Sequence, residues 1–290
     1  QAVAEIVQLL EVLSNPHQAE QQAQAQQQRL KAFEQNPEFS LYLSHMMSHP
    51  SAQQISNALR QLAGLVLKNQ IKPSFRDLPP KAQSIVRECT LLAARDHVLA
   101  LRHTAGTVVT TLVSVVGLSS WPELLPALVG MLESGDTELG DGALDTFVKL
   151  SEDSAHELDS EELGRPLNQL VPLMLSLFGH PKESFRVAAL TFVNSLITMG
   201  PQALLLNMDA YLEGLSKLAR DECSLARKGV CQAMVMLIEA NVGCLLPHMH
   251  SICEFMLTAQ QDPDNQASEF WMAYCDRGEG LDILVTFLPR

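Results

Sequence analysis

The stretch Phe185–Met199, which reads FRVAALTFVNSLITM, decides the fold class. Its apolar side chains recur three and four residues apart, which is the spacing of one face of an α-helix. Comparable stretches of about 15–20 residues fill the chain, and breakers such as His180-Pro181 and Gly200-Pro201 separate them. No stretch shows convincing strand alternation, so the sequence predicts an all-α protein. The apolar positions that define this face are Phe185, Ala188, Ala189, Phe192, Val193 and Leu196.

A pattern recurs along these predicted helices. Five of them carry an Arg, or an equivalent slot, that is followed three residues later by a small or branched residue. Successive slots are 42, 38, 46 and 41 residues apart. A Pro that follows an apolar pair precedes two slots by fourteen residues, Pro126 before Gly140 and Pro172 before Arg186. Two markers at a fixed offset predict six to seven helix-pair repeats of the HEAT type, with about 40–46 residues each. The slots are Arg60, Arg102, Gly140, Arg186 and Arg227.

The predicted architecture is one continuous HEAT-repeat array over residues 1–290, a right-handed superhelical solenoid of antiparallel helix pairs. Each pair cannot bury its own apolar faces, so neighbouring pairs stack and share a core. The small residue after each slot allows close helix approach. We interpret the arginines as a structural ladder that ties adjacent repeats, rather than as a catalytic set. The ladder consists of Arg60, Arg102, Arg186 and Arg227.

One face of each slot-bearing helix is mostly polar. It comprises the residues one, five and nine positions after the slot, and twelve of these fifteen residues are polar. In a solenoid the second helices line the concave side, so this face predicts a polar groove for a partner. The alternative is a merely solvated helix face, and the sequence leaves it open.

Charge is concentrated in one part of the chain. The formal net charge is -13, and the window Glu133–Glu162 contributes eleven acidic residues against the single basic residue Lys149. A protein that reads nucleic-acid backbones needs a basic footprint, so direct nucleic-acid binding is not expected. Binding to an anionic membrane surface is disfavoured for the same reason, and no apolar run approaches the ~18–20 residues that span a bilayer. A basic protein partner is the natural expectation.

The sequence gives little support for a metal site or a catalytic site. The six cysteines lack paired short spacing and are typical of reduced, buried cysteines in an intracellular protein. His45 and His49 lie four residues apart, and Cys244, His248, His250 and Cys253 crowd ten residues. Four ligands converging in a tetrahedron are not suggested by that spacing. We therefore expect no metal, no cofactor and no enzymatic activity.

Two stretches resemble the amino-terminal motif of the importin-β (karyopherin-β) family. They are Asn36-Pro37-Glu38-Phe39 and the segment from Arg60 to Asn69, in which Arg-x-x-Ala is followed by Leu-Lys-Asn. Trp121-Pro122-Glu123-Leu124-Leu125-Pro126 is also similar to the family pattern. Further stretches are similar to the transportin subfamily, and the resemblance covers essentially the whole chain. These stretches are Glu152-Asp153-Ser154-Ala155, Leu158-Asp159-Ser160, Arg165-Pro166-Leu167-Asn168, Leu245-Leu246-Pro247-His248-Met249-His250 and Glu269-Phe270-Trp271.

The resemblance implies a monomeric nuclear import receptor that shuttles between cytoplasm and nucleus. Such receptors carry cargo with proline-tyrosine nuclear localisation signals, contact Phe-Gly nucleoporins, and release cargo when the GTPase Ran binds in its GTP form. Ran contacts are implied along the polar stripe, and an acidic patch is implied for a basic surface of Ran. The stripe residues are Gln61, Lys68, Asn69, His103, Thr107, Asp141, Asp145 and Lys149, and the patch residues are Glu138 and Glu269.

The resemblance also implies domain limits. The amino-terminal motif is expected at about residues 18–72, and further repeats at 73–290. The first residue is Gln1 and the last two, Pro289-Arg290, lie in an apolar segment, so we expect a fragment of a longer receptor. Two departures from the family pattern stand out, the Gln-rich segment Gln18–Gln28 and a short segment Asp262–Gln266. The competing interpretation is a generic HEAT-repeat scaffold for protein–protein contacts that does not depend on Ran.

Overall fold

The computed structural model describes residues 2–13, 28–36, 38–49, 55–240, 249–259 and 270–272. Those residues form α-helices joined by short turns and contain no strand, which confirms the all-α prediction. The first group of helices is α1 (Ala2–Leu13), α2 (described over 28–34), α3 (Phe39–Ser48), α4 (Asn57–Ser74), α5 (Pro80–Ala93), α6 (Leu99–Val116), α7 (Leu124–Glu133), α8 (Thr137–Asp153) and α9 (Ala155–Leu158). The second group is α10 (Leu167–Ser176), α11 (Glu183–Ser195), α12 (Gln202–Leu206), α13 (Met208–Leu218), α14 (Ser224–Glu239) and α15 (Met249–Ala259).

The first compact unit spans residues Gln1–Glu157, and its described helices stack in pairs. The helices pair in chain order, α3 with α4, α5 with α6, and α7 with α8. First helices contact first helices, as α3 contacts α5, while the second helices α4, α6 and α8 contact one another in sequence. This two-layer stacking is the helix-pair repeat that the sequence predicts.

Small residues allow the second helices of this unit to approach closely. Ala63, Ala105 and Ala143, each three residues after a slot, are completely buried. A Cβ added at Gly64 would lie 2.6 Å from the Cγ2 of Thr104 on the next second helix. A Cβ added at Gly142 would lie 2.4 Å from the carbonyl oxygen of Ala94. The contact between repeats is therefore set by backbone proximity as well as by apolar burial.

Helix ends in this unit follow local sequence signals. Ser56 caps α4, since its Oγ accepts a hydrogen bond from Leu59 N at 3.3 Å. Asp136 caps α8, with its Oδ1 accepting from Glu138 N at 2.8 Å. Gly117, with φ of 81°, ends α6 in a conformation that residues with a Cβ rarely adopt. These caps fix the register of the second helices, and with it the set of side chains on their exposed face.

The second compact unit spans Leu158–Arg290, and its described core lies among α10, α11, α13 and α14. Phe192, Val193 and Leu215 are completely buried there. The amide of Asn194, a buried polar group, links three helices. Its Oδ1 accepts from the Tyr211 hydroxyl at 2.5 Å, and its Nδ2 donates to the Gly229 carbonyl at 2.9 Å. A buried amide satisfied in this way fixes the relative positions of α11, α13 and α14.

Helix α6 is long and apolar enough to cross a membrane by length and composition alone. Here it is the central second helix of the first unit and contacts both α4 and α8. Val108, Val109 and Leu112 on it are completely buried within the protein. Its apolar character therefore has a sufficient explanation in the protein core.

Candidate functional site

Arg60 joins two successive repeats through a buried network. Its side chain is completely buried, and Nε donates to the Met47 carbonyl at 3.1 Å on the first helix of the same pair. One Nη donates to the carboxylate of Asp96, which precedes α6 in the following pair. The backbone carbonyl of Asp96 in turn accepts from Arg102 Nη1 at 2.8 Å. A single aspartate thus connects the arginines of two adjacent repeats.

The same arrangement occurs in the second unit. Arg186 Nε and Nη2 both lie 2.7 Å from the Asp221 carboxylate oxygens, in a bidentate pair. The Asp221 carbonyl accepts from Arg227 Nη1 at 2.9 Å. The hydrogen bonds from the Arg186 guanidinium lower the pKa of Asp221 below its ordinary value, against a smaller opposing effect of burial. Asp221 is therefore held as a carboxylate between two guanidinium groups.

Sequence reasoning found the arginines but missed their acidic partners. Asp96 and Asp221 each lie six residues before the next arginine, in Asp96…Arg102 and Asp221…Arg227. This shared six-residue spacing is the sequence signal from which the two aspartates could have been identified.

The ladder is interrupted at Gly140, which has no side chain to offer. Beside it, Arg102 Nη1 is bonded to the carbonyls of Asp96 and His97, but its buried Nε has no hydrogen-bond partner within the described part of the chain. Gly142 packs against the aliphatic part of Arg102, where an added Cβ would be 3.0 Å from Cδ. The contact between α6 and α8 thus relies on close packing instead of an arginine–aspartate pair.

The predicted stripe begins on α4 and continues on α6. Gln61 and Lys68 are half-buried, and Asn69 is exposed near the end of α4. On α6, His103 is exposed and Thr107 is half-buried. The Thr107 hydroxyl donates to the His103 carbonyl at 3.0 Å within its own helix. These side chains share one accessible face of two adjacent second helices.

Asp145 on α8 contacts two other residues of the stripe, one on α6 and one on α8. Its Oδ1 lies 2.7 Å from His103 Nδ1 on α6, and its Oδ2 accepts from Lys149 one turn further along α8. Lys149 Nζ also donates to the His103 carbonyl at 3.0 Å. The close approach depends on Gly106, where an added Cβ would lie 2.7 Å from Asp145 Oδ2. The structure therefore brings three predicted contact residues together, but in a cluster that ties α6 to α8.

The remaining predicted acidic residues are distributed differently. Asp141 is half-exposed on α8 and already makes interactions within the protein. Glu138 is fully exposed in the first turn of α8. Glu269 lies outside the described residues, so its place in an acidic patch stays a prediction.

Several carboxylates of the acidic window Glu133–Glu162 have internal partners. Glu157 Oε2 accepts from Leu118 N at 2.5 Å, and Asp136 caps α8. In the loop before α10, Arg165 donates to Glu161 at 2.6 Å and lies 3.8 Å from Asp159. Together with Asp145, these groups serve the protein's own structure. Among the described residues of the window, the exposed acidic side chains without such a role are Glu133, Glu138, Glu152, Asp153 and Glu162.

The second unit contains an apolar groove of about 900 Å³ between α13, α14 and α15. Leu212 and Leu215 line it from α13, Val230 from α14, and Ile252 and Phe255 from α15. Charged residues such as Glu213 and Arg220 also line it. A groove of this size and composition suits apolar or aromatic side chains of an extended peptide.

No group of three or more metal-ligating residues occurs among the described positions. The rings of His45 and His49 stack on each other with centroids 4.4 Å apart. Burial, and secondarily the neighbouring His49, lower the pKa of His45 below its ordinary value. The Cys244 and His248 members of the other sequence cluster lie outside the described residues. The candidate surface that the described residues offer is the polar and charged face of α4, α6 and α8.

Comparison with known proteins bears on this face. Residues 26–94, which include α3, α4 and α5, match the Importin-beta N-terminal domain. The chain is 37% identical over 294 aligned residues to Transportin-1 of Mus musculus, covering 100% of this chain and 32% of that protein. It is 35% identical to Transportin of Dictyostelium discoideum, over 90% of this chain and 28% of the relative. Importin subunit beta-2 of Schizosaccharomyces pombe is 32% identical, over 98% of this chain and 32% of that protein. The chain thus spans about a third of the length of these relatives.

Solved structures of other proteins share the fold. Yeast importin-beta (Kap95p) superposes with a TM-score of 0.78 at 15% identity, covering 100% of this chain and 36% of that one. Kap95 in a complex with Nup1 gives a TM-score of 0.74 at 14% identity, over 100% of this chain and 36% of that one. Kap95p in a structure with RanGDP gives 0.75 at 15% identity, over 100% and 35%. These likenesses confirm the prediction of a HEAT-repeat solenoid of the importin-beta type.

Proposed function

We propose that this chain, a homologue of the transportins that carries an importin-beta N-terminal domain, forms part of a nuclear import receptor and binds Ran in its GTP form. Binding of Ran would be coupled to release of cargo that carries proline-tyrosine nuclear localisation signals, and the receptor would shuttle between cytoplasm and nucleus as a monomer. The relatives are named as transportins and importin subunits, and we propose no catalytic role.

The observation that carries the proposal is the continuous accessible face of α4, α6 and α8. It starts inside the matched domain, at Gln61, Lys68 and Asn69, and continues to the exposed ring of His103. A relative of the same fold, Kap95p, has been solved with RanGDP. Support therefore comes from both a polar surface of suitable extent and the partner of a protein with the same architecture.

The mechanism is exchange of partners. Stacked repeats share small rotations, so a partner that selects one curvature opposes a partner that needs another. Such exclusion is a negative coupling free energy between two binding sites, and it is reciprocal. The exposed carboxylates of the acidic window would steer a basic partner toward the face. Individual exposed ion pairs contribute only about 0–1 kcal/mol, so we expect steering to appear mainly in the association rate.

A titration with Ran in both nucleotide states tests the proposal. We expect the chain to bind Ran·GTP at least tenfold more tightly than Ran·GDP, measured by fluorescence polarisation at one fixed salt concentration. Equal affinities for the two forms, or no binding of the GTP form, would contradict it. The alternative function, a HEAT-repeat scaffold without Ran dependence, predicts that equality.

The apolar groove between α13 and α15 supports a second partner class, the Phe-Gly nucleoporins. Kap95, a protein of the same fold, has been solved with the nucleoporin Nup1. Phe-Gly segments present an aromatic side chain on a flexible backbone, and Leu212, Ile252 and Phe255 provide an apolar surface for it.

Substitution within the groove tests this second partner. We expect Leu212→Ser combined with Phe255→Ser to weaken binding of a Phe-Gly repeat peptide about fivefold or more, with Ran binding retained. Leu206→Ser on α12 is the matched control, because Leu206 is 75% exposed and does not line this groove. Equal weakening by the control, or none by the double variant, would remove the groove from the proposal.

A further inference from the structure

The carboxyl-terminal ends of α4, α6 and α8 lie side by side. Arg76, just after α4, donates from Nε to the carbonyl of Val115 at the end of α6, at 3.0 Å. Glu157, after the end of α8, accepts from the backbone N–H of Leu118 just after α6, at 2.5 Å. These two contacts connect the three helix ends in the order α4, α6, α8.

Equivalent positions on the three ends carry different charges. Lys72, Ser114 and Glu152 each lie twelve residues after their slots at Arg60, Arg102 and Gly140, and all three are exposed. The charge thus runs from positive through neutral to negative across the row. Lys68 strengthens the positive end, and the exposed Asp153 strengthens the negative end. We name these five residues the bipolar edge.

Helix stability explains only one end of this row. A lysine in the last turn of α4 complements the negative end of the helix dipole and stabilises the helix. Glu152 and Asp153 occupy the last turn of α8, where no basic residue is present and the dipole disfavours carboxylates. Neither side chain has an internal partner among the described residues that would offset this. The dipole of α8 therefore does not account for these two carboxylates, whereas a partner with basic groups opposite them would interact with them favourably.

We propose that the bipolar edge docks a folded protein surface of mixed charge. That surface would present carboxylates opposite the end of α4 and Lys or Arg side chains opposite the end of α8. Two steps between packed helices of 8–10 Å each set the separation at roughly 20 Å. A uniformly basic partner, such as a polybasic tail, is disfavoured because Lys68 and Lys72 repel it. The identification of this partner as Ran rests on the proposed function. The charge pattern expected of the partner does not, because it follows from the bipolar edge alone.

Charge exchange across the edge tests the inference without changing the net charge. We expect Lys72→Glu combined with Glu152→Lys to slow association with Ran·GTP about three- to tenfold at low salt, measured by stopped-flow fluorescence. The matched control is Lys81→Glu combined with Glu88→Lys on α5, which exchanges two exposed charges within the layer of first helices. We expect the control to associate at the wild-type rate. Faster association of Lys72→Glu alone would overturn the inference, because it would indicate a uniformly basic partner.

A peptide assay separates this inference from the Ran proposal. The first probe has four Glu and four Lys separated by about twelve Gly-Ser residues, a spacer whose mean span is roughly 20 Å. The second has the same composition with Glu and Lys alternating. We expect the wild-type chain to bind the block peptide about threefold or more tightly than the alternating one, and the exchanged variant to lose that preference. Equal binding of the two peptides by the wild type would overturn the inference, whereas absent Ran binding with a preserved preference would overturn only the proposed function.

Discussion

Asp145 occupies the face that was predicted to meet a partner, yet two side chains of the protein itself already use its carboxylate. His103 contacts one oxygen and Lys149 the other, and the Asp145 side chain is only 18% exposed. Charge reversal at such a position acts on the contact between α6 and α8 before it acts on any partner. The exposed acidic residues of α8, Glu138 and Glu152, are cleaner probes of steering.

Replacing Asp145 by Ala should destabilise the first unit. The change removes the carboxylate that joins α6 to α8 and leaves the partly buried Lys149 without its ion-pair partner. Hydrogen bonds to charged groups contribute about 1.5–3 kcal/mol, and we expect a loss of about 1–3 kcal/mol in the free energy of unfolding. Urea denaturation followed by circular dichroism measures it. Glu133→Gln, at an exposed site in the same window, should change the midpoint little; an equal effect of the two variants would refute the structural role of Asp145.

Asp221 should give the second unit an acid-sensitive component of stability. Hydrogen bonds from Arg186 lower its pKa in the folded state below the value in the unfolded chain. The stabilisation is therefore present above about pH 4, the ordinary range of an aspartate, and is lost as pH falls through the lowered folded-state pKa. We expect Asp221→Asn to be less stable than the wild type at pH 7, and the difference to shrink toward pH 3. Urea midpoints at pH 7, 5, 4 and 3 measure this, with Glu222→Gln as the exposed neighbouring control. A difference that is constant across this range would contradict the assignment.

At this scale the sequence predicted residue types better than residue partners. The periodic slots identified Arg60 and Arg186, because a repeated position in a repeat protein reveals itself by spacing alone. Their partners Asp96 and Asp221 lie in connections whose conformation the helical pattern does not describe. His103 and Asp145 lie 42 residues apart in the sequence and on different helices, so no periodicity within one helix predicts their contact.

At the scale of helices, glycine controls how closely neighbouring repeats approach. Gly142 on α8 faces the Ala94 carbonyl, and a Cβ there would lie 2.4 Å from a backbone oxygen that cannot rotate away. Gly130 on α7 has no atom within 4 Å of the same constructed position. Two glycines in helix interiors thus have opposite roles, one required by packing and one not.

Alanine substitution at these two glycines should change the free energy of unfolding in opposite directions. We expect Gly142→Ala to lower the free energy of unfolding by about 1–3 kcal/mol, because α8 must shift away from Ala94. Gly130→Ala, which is the matched control, should raise it by about 0.5–1 kcal/mol through helix propensity. Thermal and urea denaturation of the two variants measure both changes. Stabilisation by Gly142→Ala would mean that the close contact is absent in solution.

The last turn of α8 should show a conflict between stability and binding. Replacing Glu152 by Gln and Asp153 by Asn removes two charges that the helix dipole disfavours, so we expect a gain of about 0.3–1 kcal/mol per site at low salt. Glu138→Gln in the first turn is the control and should lose a similar amount, because a carboxylate there is favoured. Urea denaturation at low salt measures whether each variant raises or lowers the free energy of unfolding. The same double substitution should slow association with a partner that docks on the bipolar edge, and equal signs at both ends of α8 would exclude the dipole argument.

Helix existence and pairing were accessible from sequence because apolar periodicity, breakers and a repeat of about 40–46 residues all agreed. The positions at which neighbouring helices approach each other closely were harder to predict from the sequence. The rule of a small residue after each slot identified Ala63 and Ala105, but not Gly64 or Gly106, because a packing role for glycine depends on the neighbouring helix. The order of the helix ends depends on Arg76 and Glu157, which lie just beyond the helices that the pattern describes.

For the molecule as a whole, the net charge of -13 comprises an internal and an external part. Within the acidic window, Asp145, Glu157 and Glu161 are paired with groups of the same chain. The charge available to a partner is therefore smaller than the formal charge, and it is concentrated at the ends of α7 and α8 and in the loop before α10. Long-range steering depends on that exposed fraction, whereas the paired carboxylates contribute mainly to stability.

Salt should therefore affect the association of Ran·GTP far more than its dissociation. The screening length falls from about 30 Å at 10 mM salt to about 8 Å at 150 mM, which is shorter than the roughly 20 Å that separates the two ends of the bipolar edge. We expect the association rate constant to fall about five- to tenfold over that range and the dissociation rate constant to change less than about twofold. Stopped-flow measurements on the wild type and on a Glu138→Gln, Glu152→Gln, Asp153→Asn variant provide the comparison, and the variant should lose part of the salt dependence. If Asp145→Ala instead reduces the salt dependence as strongly, the paired carboxylates take part in steering and the division into internal and external charge is wrong.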